Sequence, residues 1–299
     1  MSSWKWLPSF IFLVCLINLV SIVKSQFPTQ IFFFYECQNN GNYTSNSPYK
    51  TNLDNLLSSV STNINTNNGF YNKSIGENSD RVNLIALCRA DLQPSQCRDY
   101  VKNATAEILK RCPNQKQAIL WHEFCMVRYS NEAIFGTLAN SPMKPAYSVE
   151  NVTNTDVFYR ELDVLLNSLH DHAAFNSLPK KFAAATRGVN DPKYPKIYAF
   201  EQCTPDITSV ECGECLTKSA QQIRECCNGA RGVRILRPSC YLRFETDPFY
   251  NETMVESPKR SMPPPAAQPA PQRDGRSSGS TYPHWNLGLF LFSLFNFIA

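Results

Sequence analysis

Hydrophobic and polar positions follow two different periods along the middle of the chain. The segment IFFFYE (31–36) is a continuous apolar and aromatic run of strand length. The segments TNLDNLLSSV (51–60) and FYRELDVLLNSL (158–169) instead carry leucines at helical spacing, which predicts two amphipathic helices. The segments AILWHEFCMVRYS (118–130) and GVRILRPSCYLRFE (232–245) predict pairs of hairpin strands.

Two further helices are predicted by their start signals. The stretch PSQC (94–97) places Pro and Ser at a helix N-terminus, and TSVEC (208–212) has the same character. Strands and helices of this kind fit an α+β fold, in which two helices pack on an antiparallel sheet.

The pattern occurs twice. With the chain aligned to itself at an offset of 115 residues, four cysteines coincide with four others: Cys88 with Cys203, Cys97 with Cys212, Cys112 with Cys227, and Cys125 with Cys240. The chain is therefore predicted to contain two copies of one domain. We place the first copy at 30–135 and the second at 146–250.

The N-terminal residues predict the compartment. Residues 1–25 contain a basic residue, an apolar run and a small residue at a plausible cleavage point, which predicts a secretory signal peptide; the alternative is an uncleaved membrane anchor. Five Asn-x-Ser/Thr triplets follow, which in a secreted chain predict N-glycosylated surface at Asn42, Asn72, Asn103, Asn151 and Asn251.

The charge of the body excludes one class of partner. The chain has a formal net charge of +4, but residues 26–256 hold 23 Lys and Arg against 24 Asp and Glu. Residues 26–256 are nearly neutral and lack the excess positive charge that binds nucleic acid, so we expect no nucleic-acid partner.

Candidate catalytic groups are few. The sequence has no nucleophile elbow, phosphate loop or paired-carboxylate motif, so we expect neither an enzyme nor a cofactor. The pair His170 and His172 could suggest a metal, but we expect it at the exposed end of a helix without acidic or cysteine partners at ligand spacing. We therefore expect no metal site.

The cysteine cluster CTPDITSVECGEC (203–215) leaves three interpretations open. A CxxC element is half of a zinc site, a redox pair, or two disulfide halves. In an oxidising compartment cysteines pair rather than bind zinc, which favours disulfides.

The tandem C-x8-C-x2-C spacing, with CQNNGNYT near the start and RPSCYLRFE near the end, resembles the plant ginkbilobin-like domain. This is the module of cysteine-rich repeat secretory proteins and of the ectodomains of cysteine-rich receptor-like kinases. The resemblance implies a five-stranded antiparallel sheet with two helices on one face in each copy. It also implies an extracellular role in plant stress or defence, antifungal activity included.

The resemblance implies four disulfides: Cys37–Cys112, Cys88–Cys97, Cys203–Cys212 and Cys215–Cys240. Two departures follow from the residues present. Tyr100 stands where the family has a cysteine, so Cys125 lacks its partner and is expected as a buried orphan, the alternative being a redox thiol. Cys226 and Cys227 are adjacent, and form either a vicinal disulfide or two thiols.

The resemblance also implies a ligand site in the second copy. The ginkbilobin-like antifungal lectin binds mannose through positions that correspond to Arg234 and Glu245. The first copy has Ile119 and Ser130 at these positions, and Gln38 where the family has a contact Asn. The alternative is that Arg234 and Glu245 form a structural cross-strand pair.

The C-terminal segment differs in composition. Residues 257–283 are rich in Pro and Ser and predict an extended stalk, and residues 284–299 are mostly apolar. Small residues at 277–280 before this tail predict a GPI-attachment signal; the rival is a receptor-kinase gene that has lost its membrane and kinase portions.

Three functional hypotheses remain. The first is a secreted recognition protein that binds a mannose-type glycan or other cell-wall carbohydrate. The second is a membrane-tethered co-receptor or adhesion module that contacts receptor-like kinases. The third is a redox sensor that uses the odd thiol.

Overall fold

Each repeat forms a five-stranded antiparallel sheet with two helices on one of its faces. The computed structural model describes residues 33–176 and 179–252. The first copy comprises β1 (Phe33–Asn42), α1 (Pro48–Asn63), β2 (Phe70–Ile75), β3 (Val82–Cys88), α2 (Pro94–Arg111), β4 (Gln115–His122) and β5 (Cys125–Ser130). Its strands lie in the order β1-β4-β5-β3-β2.

The second copy repeats this topology. It comprises β6 (Lys144–Tyr147), α3 (Thr155–Asp171), a π-helical turn (His172–Asn176), β7 (Phe182–Gly188), β8 (Lys196–Cys203), α4 (Ser209–Cys226), β9 (Val233–Leu236) and β10 (Cys240–Glu245). The strand order β6-β9-β10-β8-β7 matches that of the first copy, element by element. The predicted α+β class is confirmed.

Local capping explains where the helices begin. The Ser47 side chain accepts a hydrogen bond from the Lys50 amide at 3.3 Å, and Pro48 follows as the first helical residue. At α4, the Glu211 carboxylate accepts from the Thr208 amide at 2.8 Å, and the Thr208 hydroxyl accepts from the Glu211 amide at 3.2 Å. Such reciprocal bonds satisfy backbone donors that a helix start would leave free.

Each copy has its own core between helices and sheet. The leucines predicted to face inward do so, because the helical spacing places them on one stripe. The helix residues of the two cores include Leu53, Leu56 and Leu57 of α1, and Leu162, Leu166 and Leu169 of α3.

The helix-free faces of the two sheets pack against each other. Apolar residues of the first sheet, among them Leu87, Ile119 and Trp121, form one buried cluster with Leu236 of the second. The Gln202 side chain of β8 accepts from the Ala90 amide and donates to the Cys88 carbonyl, both at 3.1 Å. The two copies therefore form one compact unit with helices on its two outer sides.

The structure joins the cysteines in five pairs: Cys37–Cys112, Cys88–Cys97, Cys203–Cys212, Cys215–Cys240 and the adjacent Cys226–Cys227. Within the described ranges, Cys125 is the one free thiol, and it is buried. The Tyr100 ring packs on the Phe124 ring, with 4.4 Å between their centroids. Tyr100 and Cys125 correspond to Cys215 and Cys240, which form a disulfide in the second copy. An aromatic contact thus stands in the first copy where the second has a covalent one.

None of the helices in the described part of the chain has the length and apolar character needed to cross a bilayer. The predicted signal peptide (1–25) and the stalk and apolar tail (257–299) lie outside the described residues.

Candidate functional site

Arg234 and Arg243 are direct cross-strand partners on the helix-free face of the second sheet. Strand β9 pairs with β10 in a register that sets Arg234 opposite Arg243. Side chains two residues apart on a strand share a face, so Glu245 follows Arg243 on this side. Two like charges side by side are unfavourable unless a counter-charge lies between them.

The counter-charge comes from the other copy. Glu123 lies in the turn between β4 and β5, and its Oε1 is 2.7 Å from Arg243 Nη1. Arg234 Nη1 donates to the second oxygen of the same carboxylate. On the other side, Glu245 Oε1 lies 2.9 Å from Arg243 Nε and 3.6 Å from Arg234 Nε. The two predicted ligand residues are therefore brought together, but within an ionic network that joins the two sheets.

The network extends deeper into the first copy. Arg89 makes a bidentate pair with Asp91, at 2.6 and 2.9 Å, and donates to the Phe249 carbonyl at 3.0 Å. The Phe249 ring lies 4.0 Å from the Arg243 guanidinium carbon. The side chains of Arg89 and Arg243 are 6% and 7% exposed, so most of this charge is shielded from solvent and depends on its partners.

The predicted ligand residues also line an open cleft of about 240 Å³, together with Ser148 and Gly232. Glu245 fits closely against Gly232, because a Cβ on that glycine would lie 1.9 Å from Glu245 Oε2. The Ser148 amide donates to the Gly232 carbonyl at 2.9 Å. This cleft presents a hydroxyl, a guanidinium and a carboxylate, which can donate to and accept from a polyol.

Ser148 lies at the position of the second copy that corresponds to Gln38; the sequence alone did not place it, because the second copy has no cysteine at the position of Cys37. In the first copy Gln38 lies across from Gln117, and Gln117 corresponds to Gly232 at the repeat offset. Ser148, across from Gly232, is therefore the counterpart of Gln38. The pairing register of the strands identifies this residue. The cysteine spacing does not, because the second copy lacks the first cysteine of the motif.

The corresponding positions in the first copy also meet. Gln38, Ile119 and Ser130 line a cavity of about 10 Å³, too small for a sugar. Only the second of these two matched positions therefore has a cleft large enough for a sugar.

The interpretation of His170 as an exposed helix end was wrong. The helix continues beyond it into the π-helical turn, and α4 packs beside it. His170 Nε2 would lie 3.3 Å from a Cβ on Gly213, so the imidazole covers the glycine of α4. Burial lowers the pKa of His170 below its usual range, and the ring stays neutral at physiological pH.

The five asparagines of the glycosylation triplets are all exposed: Asn42, Asn72, Asn103, Asn151 and Asn251. Glycosylation at these positions stays a prediction.

Comparison with known proteins places both repeats in one family. The model of the salt stress response/antifungal family matches residues 36–132 and again residues 145–247. The chain belongs to this family. The family assignment accounts for the tandem cysteine spacing and for the repeated sheet, and it confirms the resemblance noted in the sequence.

Relatives in this family include secreted and receptor proteins. The chain is 35% identical to cysteine-rich repeat secretory protein 38 of Arabidopsis thaliana, over 83% of this chain and 98% of that protein. It is 38% identical to cysteine-rich receptor-like protein kinase 25 of the same plant, again over 83% of this chain. The chain spans only 37% of the length of that kinase.

A solved structure shows the same tandem arrangement. The tandem DUF26 ectodomain of the Arabidopsis thaliana cysteine-rich receptor-like protein PDLP8 matches with a TM-score of 0.63 at 25% identity, over 73% of this chain and 98% of that one. The protein is thus related to secreted or extracellular proteins of plants, and its fold is that of the ectodomain of a receptor-like protein.

Proposed function

We propose that the protein is an extracellular recognition module of plant stress or defence, which acts through protein contacts and has no chemistry of its own. The observation that carries this proposal is the ionic and apolar seam between the sheets. It fixes two domains as one unit, so that their outer surfaces can form a single composite contact surface. The related solved structure is the ectodomain of a receptor-like protein.

The second copy offers an apolar contact feature at its outer end. Phe175 is 51% exposed and Val210, at the start of α4, is 72% exposed. Phe175 Cζ would lie 4.0 Å from a Cβ on Gly213, one turn after Val210, so both side chains lie near the start of α4. Neighbouring exposed apolar side chains favour a protein contact. Receptor-like kinase ectodomains are the partner class that the family suggests.

A binding screen tests this proposal. The secreted chain is immobilised, and purified ectodomains of cysteine-rich receptor-like kinases are passed over it. We expect at least one to bind with a Kd of ~1 µM or tighter, and Val210→Glu to weaken that complex at least ~10-fold. Val149→Glu, at a 95% exposed loop position, is the matched control. Absence of any binding, or equal weakening by both variants, contradicts the proposal.

Carbohydrate recognition is the second candidate, favoured by the cleft that Ser148, Arg234 and Glu245 line. The mixture of donors and acceptors suits vicinal hydroxyls of a mannose-type glycan or cell-wall carbohydrate. Its weakness is that Arg234 and Glu245 already serve the network around Glu123. A glycan array with the full secreted chain distinguishes this candidate from pure protein recognition, because the latter predicts no glycan signal.

The redox hypothesis has the least support. Cys125 is 6% exposed, and burial raises the pKa of its thiol, which disfavours the reactive thiolate.

Anchoring by a GPI attachment at 277–280 is our proposal for how the protein is held at the outer face of the plasma membrane. The stalk between the second copy and this position would hold the folded body away from the lipid surface.

A further inference from the structure

A second cleft lies on the opposite side of the second copy, between α3 and α4. Its volume is about 490 Å³, within the range of small-molecule sites. Its walls come from one face of each helix: Asp163, Asn167, His170 and Asp171 on α3, and Thr217, Gln221 and Arg224 on α4. This cleft is separate from the ionic network, because the sheet lies between them.

A buried carboxyl lies in the lining of this cleft. Glu201 of β8 points toward the helices, into a core that is otherwise apolar, and is 1% exposed. Neither Oε1 nor Oε2 receives a hydrogen bond from any residue in the described ranges. Buried polar atoms in native proteins nearly always have partners, so an unpaired carboxyl is an exception that needs a cause.

The first copy shows that the fold does not need this carboxyl. The repeat offset sets Glu201 opposite Ala86, which is fully buried on the same strand of the first sheet. A methyl group fills that position without cost, whereas an unpaired carboxyl opposes folding. The fold therefore does not require the Glu201 carboxyl, which points to a role in the cleft.

The charges around the cleft favour a cation. Arg224 is already paired with Asp163 at 2.5 Å and stacked over the Tyr159 ring at 4.6 Å, so its charge is balanced. His170 is neutral because burial lowers its pKa. Asp171 remains without a counter-charge in the cleft lining, and its repulsion adds to the burial that raises the pKa of Glu201.

We propose that the cleft between α3 and α4 binds the primary ammonium group of a small aliphatic amine, with Glu201 as its buried counter-ion and Asp171 as a second negative charge. The ammonium supplies donors to oxygens that have none. On binding, the Glu201 proton passes to the solvent buffer, and the resulting carboxylate pairs with the ammonium. An anion is repelled by Asp171, and a neutral alcohol gains only hydrogen bonds to the protonated carboxyl and no ion pair. This proposal does not rest on the protein contact proposed above, although His170 of the cleft and Phe175 both lie against Gly213.

The test is calorimetric titration of the full secreted chain with 1,4-diaminobutane, beside two molecules of matched length, 1,4-butanediol and succinate. We expect a Kd of ~1 mM or tighter for the diamine and no measurable binding of the other two. Glu201→Gln, which keeps the shape but cannot ionise, should weaken diamine binding at least ~10-fold. Asp171→Asn should weaken it less, by ~3-fold. The control Glu214→Gln alters an exposed pair with Lys218 and should change nothing.

Proton release gives a second readout. Titrations at pH 6 in two buffers with different ionisation enthalpies should show a net release of protons when the diamine binds. That release should vanish in Glu201→Gln. Since Ala occupies the matched position in the first copy, Glu201→Ala serves as a second variant that is expected to fold, checked by its thermal midpoint.

Three results would overturn the proposal. The first is no binding of the diamine at ~10 mM, a concentration that still reveals millimolar affinity. The second is equal affinity for the diamine in the wild type and in both Glu201 variants. The third is equal binding of 1,4-butanediol, which would make the cleft a site for neutral polyols.

Discussion

Glu123 Oε1 lies 2.7 Å from Arg243 Nη1, and this contact joins a turn of the first repeat to a strand of the second. Arg234 uses the other oxygen of the same carboxylate, and Arg89 Nη1 lies 3.6 Å from Oε1, so one side chain faces three arginines. The stability of the paired domains should therefore depend on it more than on other acidic residues.

Glu123→Gln should lower the free energy of unfolding by about 2–4 kcal/mol, since it removes a negative charge shared by three largely buried guanidinium groups. Urea unfolding followed by fluorescence measures the change. The control is Glu214→Gln, which disrupts an exposed pair on α4 and should cost less than about 0.5 kcal/mol. Equal effects of the two variants would show that the network contributes no more than a surface pair.

Arg234→Ala and Glu245→Ala separate binding from structure. If the cleft beside Gly232 binds a mannose-type glycan, each change should weaken mannan binding about ten- to a hundred-fold, because a charged hydrogen-bond partner is lost. The thermal midpoint of each variant is measured in parallel. A lowered midpoint with unaltered mannan binding would assign the pair to structure alone.

Tyr100→Cys should restore the covalent bond that the second copy has between Cys215 and Cys240. With Cys125 as the partner, the closed loop of roughly 25 residues should add about 1–3 kcal/mol after loss of the ring contact with Phe124. Peptide mapping without reduction identifies the new bond, and the wild-type map should show Cys125 unpaired. Recovery of wild-type Cys125 bridged to Cys88 or Cys97 would contradict the arrangement seen here.

Glu201 should make stability depend on pH. Burial, with a contribution from Asp171, raises the pKa of this carboxyl well above its ordinary value of 4.5. The folded chain then binds a proton that the unfolded chain releases, so stability is lost as pH rises above 4.5, by up to about 1.4 kcal/mol per pH unit.

Glu201→Gln removes this loss, and its stability relative to the wild type should increase from pH 5 to pH 8. The lowered pKa of His170 acts in the opposite direction, with stability lost as pH falls below its ordinary value of 6.5. That contribution is common to both proteins and cancels in the difference. A pH-independent difference in unfolding free energy would show that Glu201 is ionised in the folded state.

The C-terminal tail allows a direct test of anchoring. If residues 284–299 belong to a GPI signal, phosphatidylinositol-specific phospholipase C should release the protein from membranes, and the mature chain should end within 277–280. Mass spectrometry of the released protein locates the end. Ala299 present in the mature chain would exclude the anchor.

The sequence was sufficient to predict the fold of each copy because local signals agree with tertiary ones. The leucines of α1 lie on one side of that helix, as do those of α3, and the cap at Thr208 marks the start of α4. Because the cysteine spacing repeats, the same fold is predicted for both copies.

The packing of one copy on the other could not be predicted in this way. Glu123 lies in a hairpin turn between His122 and Phe124, a position typical of solvated charge, and nothing local indicates its partners in β9 and β10. Contacts between residues more than a hundred positions apart leave no periodicity. Glu201 was hidden for a similar reason, since one acidic residue in an apolar strand is visible only once its surroundings are known.

The seam between the sheets has a genetic consequence. At the repeat offset Glu123 corresponds to Pro238, and Arg234 corresponds to Ile119, so the contact made in one direction has no counterpart in the other. The two halves of the gene have become complementary to each other and are no longer interchangeable. Gene conversion that copied the second half onto the first would replace Glu123 by proline, and conversion in the other direction would replace Arg234 by isoleucine while Arg128 kept an arginine at the position of Arg243. Selection should therefore hold the two repeats apart in sequence while it keeps them alike in fold.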